Sequence, residues 1–396
     1  MSNLRYFPEQ EENTGAGNIK RKIKRRRLTR LYKILIVVGV LGAILLGYYI
    51  YENTKVYTSF TKISSFDEIR YEESVVSNLA GNILTYSKDG ANLKAPDGKP
   101  IWNITFDMQY PLVSRSGGTV AFADYNGTKI YLVNESGKTT EITTDMPIAG
   151  ISVAEAGYVT AILEDVDVSW IYMYDLNSRV IAYFRTTMEK SGYPVSVSVS
   201  PSGELVAVSY YYLDTMEKRS TVAFYNFGDV GKNNIDNYVS GYNYKNELVP
   251  VVSFLNNDKA FMVSTDRMSV FEGAHKPVSI SDMFLQQEVR SVYNSDACIG
   301  LVFDSAGSDA RYELCLYNTS GNLTATIPFN FDYQGVEIGP DTVIIYGDKN
   351  FTVASLKGDI RYTGIYEDTL RLIYSLNGVK RIVAVTDHSI DELELK

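Results

Sequence analysis

From residue 52 onward, short runs of apolar and tyrosine residues alternate with clusters of Gly, Asn, Asp and Ser. Runs of about four to eight such residues between turn formers are typical of β-strands. Some runs, such as LVAV and VIIY, are apolar at every position, as expected for strands that are covered on both faces. The pattern predicts an all-β region over residues 52–396.

One position of this pattern recurs along the region. The first apolar residue after a turn cluster returns at intervals of 37 to 55 residues, which suits four-stranded blades that bury their faces against neighbouring blades. The spacing predicts an eight-bladed β-propeller, with a seven-bladed ring or a pair of β-sandwiches as alternatives. We call the recurring residues the register positions: Ile83, Val120, Val159, Leu205, Ala260, Ile299, Val343 and Ile382.

The last repeat unit is one strand short, because only the runs TLRLIYS, RIVAVTD and SIDELELK follow the seventh unit. The segment VYTSFTKISSF, near residue 60, has no unit of its own. We predict that this segment supplies the missing strand and closes the ring, which removes edges that would otherwise pair with other chains.

An uncharged apolar run, Ile34–Ile50, precedes the all-β region. Its residues, with a few that flank them, rise about 31 Å as a helix, which is roughly the thickness of one hydrocarbon core. The residues before the run are rich in Lys and Arg, so the positive-inside rule keeps them in the cytoplasm. A cleaved signal peptide is the alternative, but no small-residue cleavage site follows the run.

These observations predict three segments: a basic, disordered cytoplasmic tail over residues 1–30, a transmembrane helix over 31–51, and an extracytoplasmic propeller over 52–396. Basic residues beside a membrane attract anionic lipid headgroups. The membrane-flanking basic residues are Lys24, Arg25, Arg26, Arg27, Arg30 and Lys33.

Charge differs sharply between the two parts. Residues 1–33 contain ten basic and three acidic residues, a net charge of +7, and subtracting this from −9 for the whole chain leaves −16 for the rest. A strongly acidic region is a poor nucleic-acid binder. We therefore expect the membrane and an envelope protein, peptide or glycan as partners, and no nucleic acid.

The sequence contains no recognisable catalytic, nucleotide-binding or metal-binding motif. Glycoside cleavage needs only two suitably separated carboxylates, and Asp165 with Asp167 or Asp304 with Asp309 are candidate pairs. Asp is also a preferred turn residue. We predict a non-enzymatic binding, scaffold or sensor module without a cofactor. The alternative is an envelope glycan hydrolase or lyase that uses acids at the propeller axis.

The longest interval of the repeat contains a predicted insertion, Phe227 to Pro250. It places Tyr238, Tyr242 and Tyr244 among Asn, Ser and Gly, which is the composition of adaptable binding loops. We interpret these tyrosines as candidate partner-binding residues, with a solvated insertion without function as the alternative.

Two cysteines, Cys298 and Cys315, are too few for a disulfide scaffold or a thiolate metal site. A hairpin that turns around residues 305–309 would place them opposite each other on adjacent strands, close enough for a disulfide. The alternative is two buried thiols that pack as small apolar groups.

The segment NLKAPDGKPIWNITF resembles the repeat of quinoprotein-like propellers, in which a strand ends at an Asp-Gly turn and a Trp opens the next strand. Asp97, Gly98 and Trp102 occupy those positions. Pieces such as VSVSPSGELVAV resemble WD40 repeats, although the WD dipeptide is absent. As a whole, the chain is similar to uncharacterised domain-of-unknown-function families of Gram-positive, single-pass membrane proteins with an extracytoplasmic propeller. This resemblance implies no known activity.

Overall fold

The computed structural model describes residues 15–68, 73–166, 168–187, 189, 191–213, 218–307 and 310–396. These residues form one α-helix, two short 3-10 turns and 32 β-strands. The chain divides into two compact units, Met1–Lys55 and Val56–Lys396. The helix belongs to the first unit and all of the strands belong to the second.

The helix, α1, extends over Gly15–Thr54. It begins well before the predicted start at residue 31, so residues 15–30, which the sequence predicts to be disordered, are helical. Lys and Arg, which dominate this stretch, are good helix formers and extend the helix toward its N-terminus. In the described part of the chain, no helix combines the length and the apolarity that crossing a membrane requires.

The side chains of residues 32–48 in α1 are all exposed. Among the predicted membrane-flanking residues, Lys24, Arg25 and Lys33 are exposed as well. The side chains of the other three lie outside the described residues: Arg26, Arg27 and Arg30.

The second unit consists of eight four-stranded antiparallel sheets, the blades of an eight-bladed propeller. In the first seven blades the strands follow in chain order. The bounds of blades 1 to 4 are, in turn, β2 (Val75–Leu79), β3 (Asn82–Tyr86), β4 (Gly90–Lys94) and β5 (Pro100–Thr105); β6 (Pro111–Ser116), β7 (Thr119–Asp124), β8 (Lys129–Val133) and β9 (Thr139–Thr143); β10 (Ile148–Val153), β11 (Val159–Asp165), β12 (Val168–Tyr174) and β13 (Val180–Thr187); β14 (Tyr193–Val199), β15 (Leu205–Leu213), β16 (Lys218–Asn226) and β17 (Tyr238–Lys245).

Blade 8 differs from the others because it combines β1 with the last three strands, in the order β1-β32-β31-β30. The first strand of a blade lies at the ring axis, next to the first strands of neighbouring blades. The bounds of blades 5 to 8 are, in turn, β18 (Val251–Phe254), β19 (Lys259–Val263), β20 (Arg267–Glu272) and β21 (Val278–Phe284); β22 (Ser291–Asn294), β23 (Cys298–Asp304), β24 (Tyr312–Asn318) and β25 (Leu323–Phe329); β26 (Gly335–Ile338), β27 (Thr342–Tyr346), β28 (Asn350–Ser355) and β29 (Ile360–Ile365); β30 (Leu370–Asn377), β31 (Arg381–Thr386), β32 (Ser389–Leu395) and β1 (Phe60–Asp67).

The eight register positions all lie in the second strand of a blade. None of them is more than 1% exposed. The second strand is sandwiched between neighbouring blades on both faces, so it is apolar at nearly every position. The predicted eight-bladed propeller is confirmed, and the seven-bladed ring and the pair of sandwiches are not what the chain forms.

The ring closes through β1, which pairs with β32 so that Phe60 lies opposite Leu395 and Asp67 opposite Ser389. The predicted closure by the strand that follows the N-terminal segment is confirmed. Blade 8 therefore joins the beginning and the end of the propeller sequence in one sheet.

A polar cluster around one buried carboxylate connects the two strands of this closure, and we call it the closure latch: Lys62, Ser65, Tyr366, Ser389 and Asp391. The Asp391 side chain is 0% exposed and accepts hydrogen bonds from the hydroxyls of Ser65, Tyr366 and Ser389. The Lys62 ammonium lies 3.3 Å from the same carboxylate. Burial alone would raise the pKa of Asp391, but these hydrogen bonds and the Lys62 charge lower it overall.

Serines on the first strands connect successive blades at the axis. The Ser114 hydroxyl accepts a hydrogen bond from the Val153 N–H at 3.0 Å, and the Ser152 hydroxyl accepts one from the Val199 N–H at 3.0 Å. The Ser198 hydroxyl repeats this contact with blade 5. These inner serines satisfy main-chain donors at strand edges that have no sheet partner.

The two cysteines are buried, unpaired thiols. Cys315 lies opposite Leu301, and Cys298 lies opposite Asn318. The hairpin turns later than predicted, with the Ser305 N–H bonded to the carbonyl of Arg311, and this shift of three residues moves the thiols to opposite faces of blade 6. The predicted cross-strand pairing is therefore wrong, and burial raises the pKa of both thiols.

Candidate functional site

The predicted insertion over residues 227–250 contains both regular and irregular structure. Two 3-10 turns, Gly231–Asn233 and Ile235–Asn237, come first, and β17 follows directly as the outermost strand of blade 4. The interpretation of this segment as a solvated insertion is wrong over β17. We call residues 229–237 the lip.

The lip has a fixed conformation. A Cβ atom at Gly231 would lie 1.5 Å from the carbonyl oxygen of Asn226, so only glycine allows this close approach. The Asn237 amide donates to the same carbonyl at 3.0 Å. Asp236 and Asn237 have φ values of 54° and 59°, a strained conformation that the surrounding contacts hold in place. The lip presents Ile235, which is 88% exposed.

The three predicted tyrosines separate onto the two faces of blade 4. Tyr242 packs against Phe271 with ring centroids 4.9 Å apart, and its hydroxyl donates to the carbonyl of Pro277 at 3.1 Å. Tyr244 is buried in the same interface with blade 5. A β-bulge beside Tyr238 turns the side chain of this residue to the opposite face of the blade. Tyr238 is therefore the only one of the three tyrosines that faces blade 3, and it is 46% exposed.

Tyr238 and the lip form one side of a cavity of about 510 Å³ between blades 3 and 4. We call this cavity the perimeter groove. Strand β13 of blade 3 forms the other side. The residues that carry its chemistry are Phe184, Tyr210, Arg219, Tyr225, Ile235 and Tyr238.

Aromatic side chains make up the floor of the perimeter groove. Phe184 stacks on Tyr225 with centroids 4.1 Å apart, and Tyr238 meets the same ring edge-on at 6.0 Å. The hydroxyls of Tyr210 and Tyr225 lie 2.9 Å apart and are buried. Burial raises the pKa of both tyrosines, so the floor is uncharged at neutral pH.

Polar groups surround this floor. The Thr221 hydroxyl donates to the side-chain oxygen of Asn243 at 2.7 Å. The Arg219 guanidinium lies over the ring of Tyr212, 4.5 Å from its centroid, an orientation that favours cation–π attraction. The groove therefore offers apolar rings, neutral hydrogen-bonding groups, the guanidinium groups of Arg185 and Arg219 and the carboxylate of Asp236, which are the chemical elements of a peptide-binding site.

A larger cavity, about 740 Å³, lies between blades 5 and 6 beside the connection 285–290. The Arg290 guanidinium on its rim forms a two-point ion pair with Asp304 at 2.6 and 2.9 Å. This hydrogen bonding lowers the pKa of Asp304. The rim is exposed and carries no aromatic side chain, so the perimeter groove is the stronger candidate.

The candidate carboxylate pairs are described only in part. Asp304 binds Arg290, and the Asp165 carboxylate accepts the Val166 N–H at 2.8 Å as a turn residue. Asp167 and Asp309 lie outside the described residues. Within those residues, no group of three or more His, Cys, Asp and Glu converges in a metal-binding arrangement.

The axis carries one carboxyl group. All eight first strands are described, and Glu337 of β26 is the only acidic residue in them. Burial raises its pKa to about 7, although the Arg115 charge and a hydrogen bond from Asn78 partly oppose this. Arg115 also donates to the carbonyl of Asn78 at 2.6 Å. A two-carboxylate glycosidase mechanism needs a second acid, which the first strands do not supply.

Sequence analysis did not identify most of the residues that line the groove. Phe184 lies on another blade, about fifty residues from Tyr238, and Ile235 reads as an ordinary apolar residue between two Asn-rich stretches. The long repeat interval was the signal that pointed to this region, but which side chains meet across two blades depends on how the blades stack.

A family model described as a family of unknown function (DUF5711) matches residues 53–395. No curated protein shows significant similarity to the chain. Among solved structures, BamB from Moraxella catarrhalis is 12% identical with a TM-score of 0.49, over 85% of this chain and 100% of that chain. AztD from Citrobacter koseri is 9% identical with a TM-score of 0.49, over 75% and 87%. Hsv2 from Kluyveromyces lactis is 10% identical with a TM-score of 0.47, over 71% and 92%.

Proposed function

We propose a binding role for this chain, which belongs to a family of unknown function (DUF5711). The propeller is a non-enzymatic binding or scaffold module of the cell envelope, and the perimeter groove is its contact site for a partner protein. The observation that carries this proposal is the fixed lip, which holds Ile235 and Tyr238 exposed above an aromatic floor. Exposed apolar and aromatic side chains on a rigid frame are typical centres of protein interfaces.

The chemistry of the groove supports binding over catalysis. Burial raises the pKa of the Tyr210 and Tyr225 hydroxyls, so both remain protonated at neutral pH and do not serve as a general base. The alternative, an envelope glycan hydrolase or lyase, rests on acids at the axis, where the first strands supply Glu337 alone.

The proposal includes a membrane tether through α1, which places the propeller outside the cytoplasm. Its support is the exposure of every side chain over residues 32–48, most of them apolar, because a helix that is apolar on all sides is stable only when something apolar surrounds it. Lys24, Arg25 and Lys33 then lie at the cytoplasmic headgroups, where basic residues attract anionic lipids.

Site-specific photocrosslinking in cells tests the groove. A photoreactive amino acid at Ile235 or Tyr238 should capture the same partner protein, because both side chains border one groove. The matched control is Leu323 in blade 6, which is 54% exposed and lies outside the groove. Capture of that partner equally well from Leu323, or from neither groove position, would contradict the proposal.

Thiol labelling tests the tether. The two native thiols are buried, so they contribute little background to labelling with a membrane-impermeant maleimide. Tyr110→Cys, at a residue that is 68% exposed in the propeller, should react on intact cells, whereas Lys24→Cys should react only after lysis. The reverse pattern would overturn the proposed topology.

A further inference from the structure

The outermost strand of blade 3, β13, has an edge that the rest of the propeller leaves open. Ile181 and Tyr183 on this strand are 45% and 59% exposed. In the described part of the chain, no main-chain group of residues 180–186 is hydrogen-bonded by another blade. From residue 182 to 187 the strand pairs with β12 without a bulge, so the edge is regular. Such an edge is a template for a further strand.

Five of the other seven outermost strands are protected. Strands β5 and β25 contain a proline, which cannot donate a main-chain hydrogen bond. In β9, β21 and β29, a main-chain group is bonded by a neighbouring segment: the carbonyl of Glu141 by the Ser178 hydroxyl at 2.8 Å, the N–H of Ser279 by the Tyr242 hydroxyl at 3.1 Å, and the carbonyl of Arg361 by the Tyr57 N–H at 2.7 Å.

Alternate residues of β13 face opposite sides of the blade. Phe184 and Thr186 are buried and line the perimeter groove. Tyr183 and Arg185 are exposed and alternate with them, and Arg185 also borders the groove, at the edge of the strand. A strand laid along β13 would direct every second side chain into the groove, toward Tyr238, and the intervening side chains toward Arg185.

We propose that β13 accepts an extended peptide of the partner protein as a fifth strand of blade 3. Its apolar side chains enter the perimeter groove, and its acidic side chains lie beside Arg185. Main-chain hydrogen bonds supply affinity in this mode, and the alternating side chains supply specificity. The inference rests on the proposed function, because it names how a partner occupies the groove.

The test uses a fluorescein-labelled peptide of alternating Glu and Val, seven residues long, and the full chain in detergent. Fluorescence anisotropy should show binding of this peptide and not of the same peptide with its alternate backbone nitrogens methylated, because methylation removes the strand donors. Arg185→Glu should weaken binding about threefold or more, since it places like charges on neighbouring strands. Lys138→Glu in blade 2, an exposed site away from β13, is the matched control.

Three results would overturn strand addition: no binding of the alternating peptide, equal binding of the methylated peptide, or equal weakening by the control variant. Equal thermal melting of both variants would show that the propeller is intact. Each of these results leaves the crosslinking test at Ile235 unaffected, so failure of strand addition and failure of the proposed binding role are distinguishable.

Discussion

The closure latch and the perimeter groove are built from similar parts but differ in charge and exposure. Both bring side-chain hydroxyls together. In the latch one tyrosine and two serine hydroxyls surround the buried carboxylate of Asp391, whereas in the groove two tyrosine hydroxyls form a neutral pair beneath exposed Ile235 and Tyr238. Removing one partner of a buried charge is far more costly than changing an exposed apolar side chain. The comparison suggests that the latch sustains the ring and the groove serves recognition.

Asp391→Ala should give the largest loss of stability. It leaves three hydroxyls without their common charged acceptor, although Lys62 keeps its ion pair with Glu367. A hydrogen bond to a charged group contributes about 1.5 to 3 kcal/mol, so we expect the three together to exceed any single neutral contact. Denaturant unfolding should show this as a lower midpoint. The control is Asp97→Ala, which removes a surface ion pair with Lys99 and should change the free energy of unfolding much less, because solvent screens such a pair. Equal effects would mean that the latch has no special role in closure.

Glu337→Gln should raise the free energy of unfolding at alkaline pH, whereas Asp391→Ala should lower it. The pKa of Glu337 is raised from its ordinary value of 4.5 to about 7 in the folded chain. The folded state therefore holds a proton that the unfolded state has lost, and stability declines as the pH rises from about 4.5 to about 7. Above pH 7 the variant should gain about 2 to 3 kcal/mol.

Unfolding measured at pH 4 and at pH 8 checks this sign. The gain should be present at pH 8 and small at pH 4. The latch behaves in the opposite way, because the pKa of Asp391 is lowered in the folded chain. Its contribution to stability is fully present above the ordinary value of 3.8 and is lost as the pH falls below that value and through the folded-state pKa. A pH-independent effect of Glu337→Gln would show that the axial carboxyl is not the titrating group.

Ser152→Ala should have an intermediate effect. It removes the acceptor of the Val199 N–H, and a buried donor left unsatisfied costs about 1 to 3 kcal/mol. Thermal unfolding should show a lower midpoint than for Ser136→Ala, at an exposed turn serine. If the two variants melt alike, the inner serines do not hold blades 3 and 4 together.

Ile235→Asp should have the smallest effect on stability and a large effect on binding. The side chain is 88% exposed, so the free energy of unfolding should change by no more than about 0.5 kcal/mol. Recovery of the crosslinked partner at Tyr238 should nevertheless fall, because the substitution places a charge on the edge of an aromatic groove. Loss of stability together with binding would mean that the lip is part of the fold and not a separate recognition element.

The propeller could be predicted from the sequence because its strongest signal, the recurring all-apolar strand, follows directly from burial. A strand covered on both faces must be apolar throughout, and the register positions, from Ile83 to Ile382, all mark such strands. Closure by β1 was predictable for a related reason, since a unit with three strands leaves an edge to be filled.

Local irregularities were not predictable in this way. The bulge that turns Tyr238 toward blade 3 leaves no mark in the residue pattern. The register between β23 and β24 is shifted by three residues from the predicted pairing, which was enough to separate Cys298 from Cys315. In both places, a shift of the strand register by one or three residues moves the side chains to the other face of the sheet. The spacing of hydrophobic residues does not show such a shift.

The pairing of β1 with β32 also has a mechanical consequence. Phe60 lies opposite Leu395, and the main chains of Ser59 and Lys396 are hydrogen-bonded to each other, so both strands leave the sheet at the same end. Tension applied between these two points would separate the strands one hydrogen-bonded residue pair at a time, instead of loading all of the pairs together. The ring should therefore open at this pair of strands under a modest pulling force.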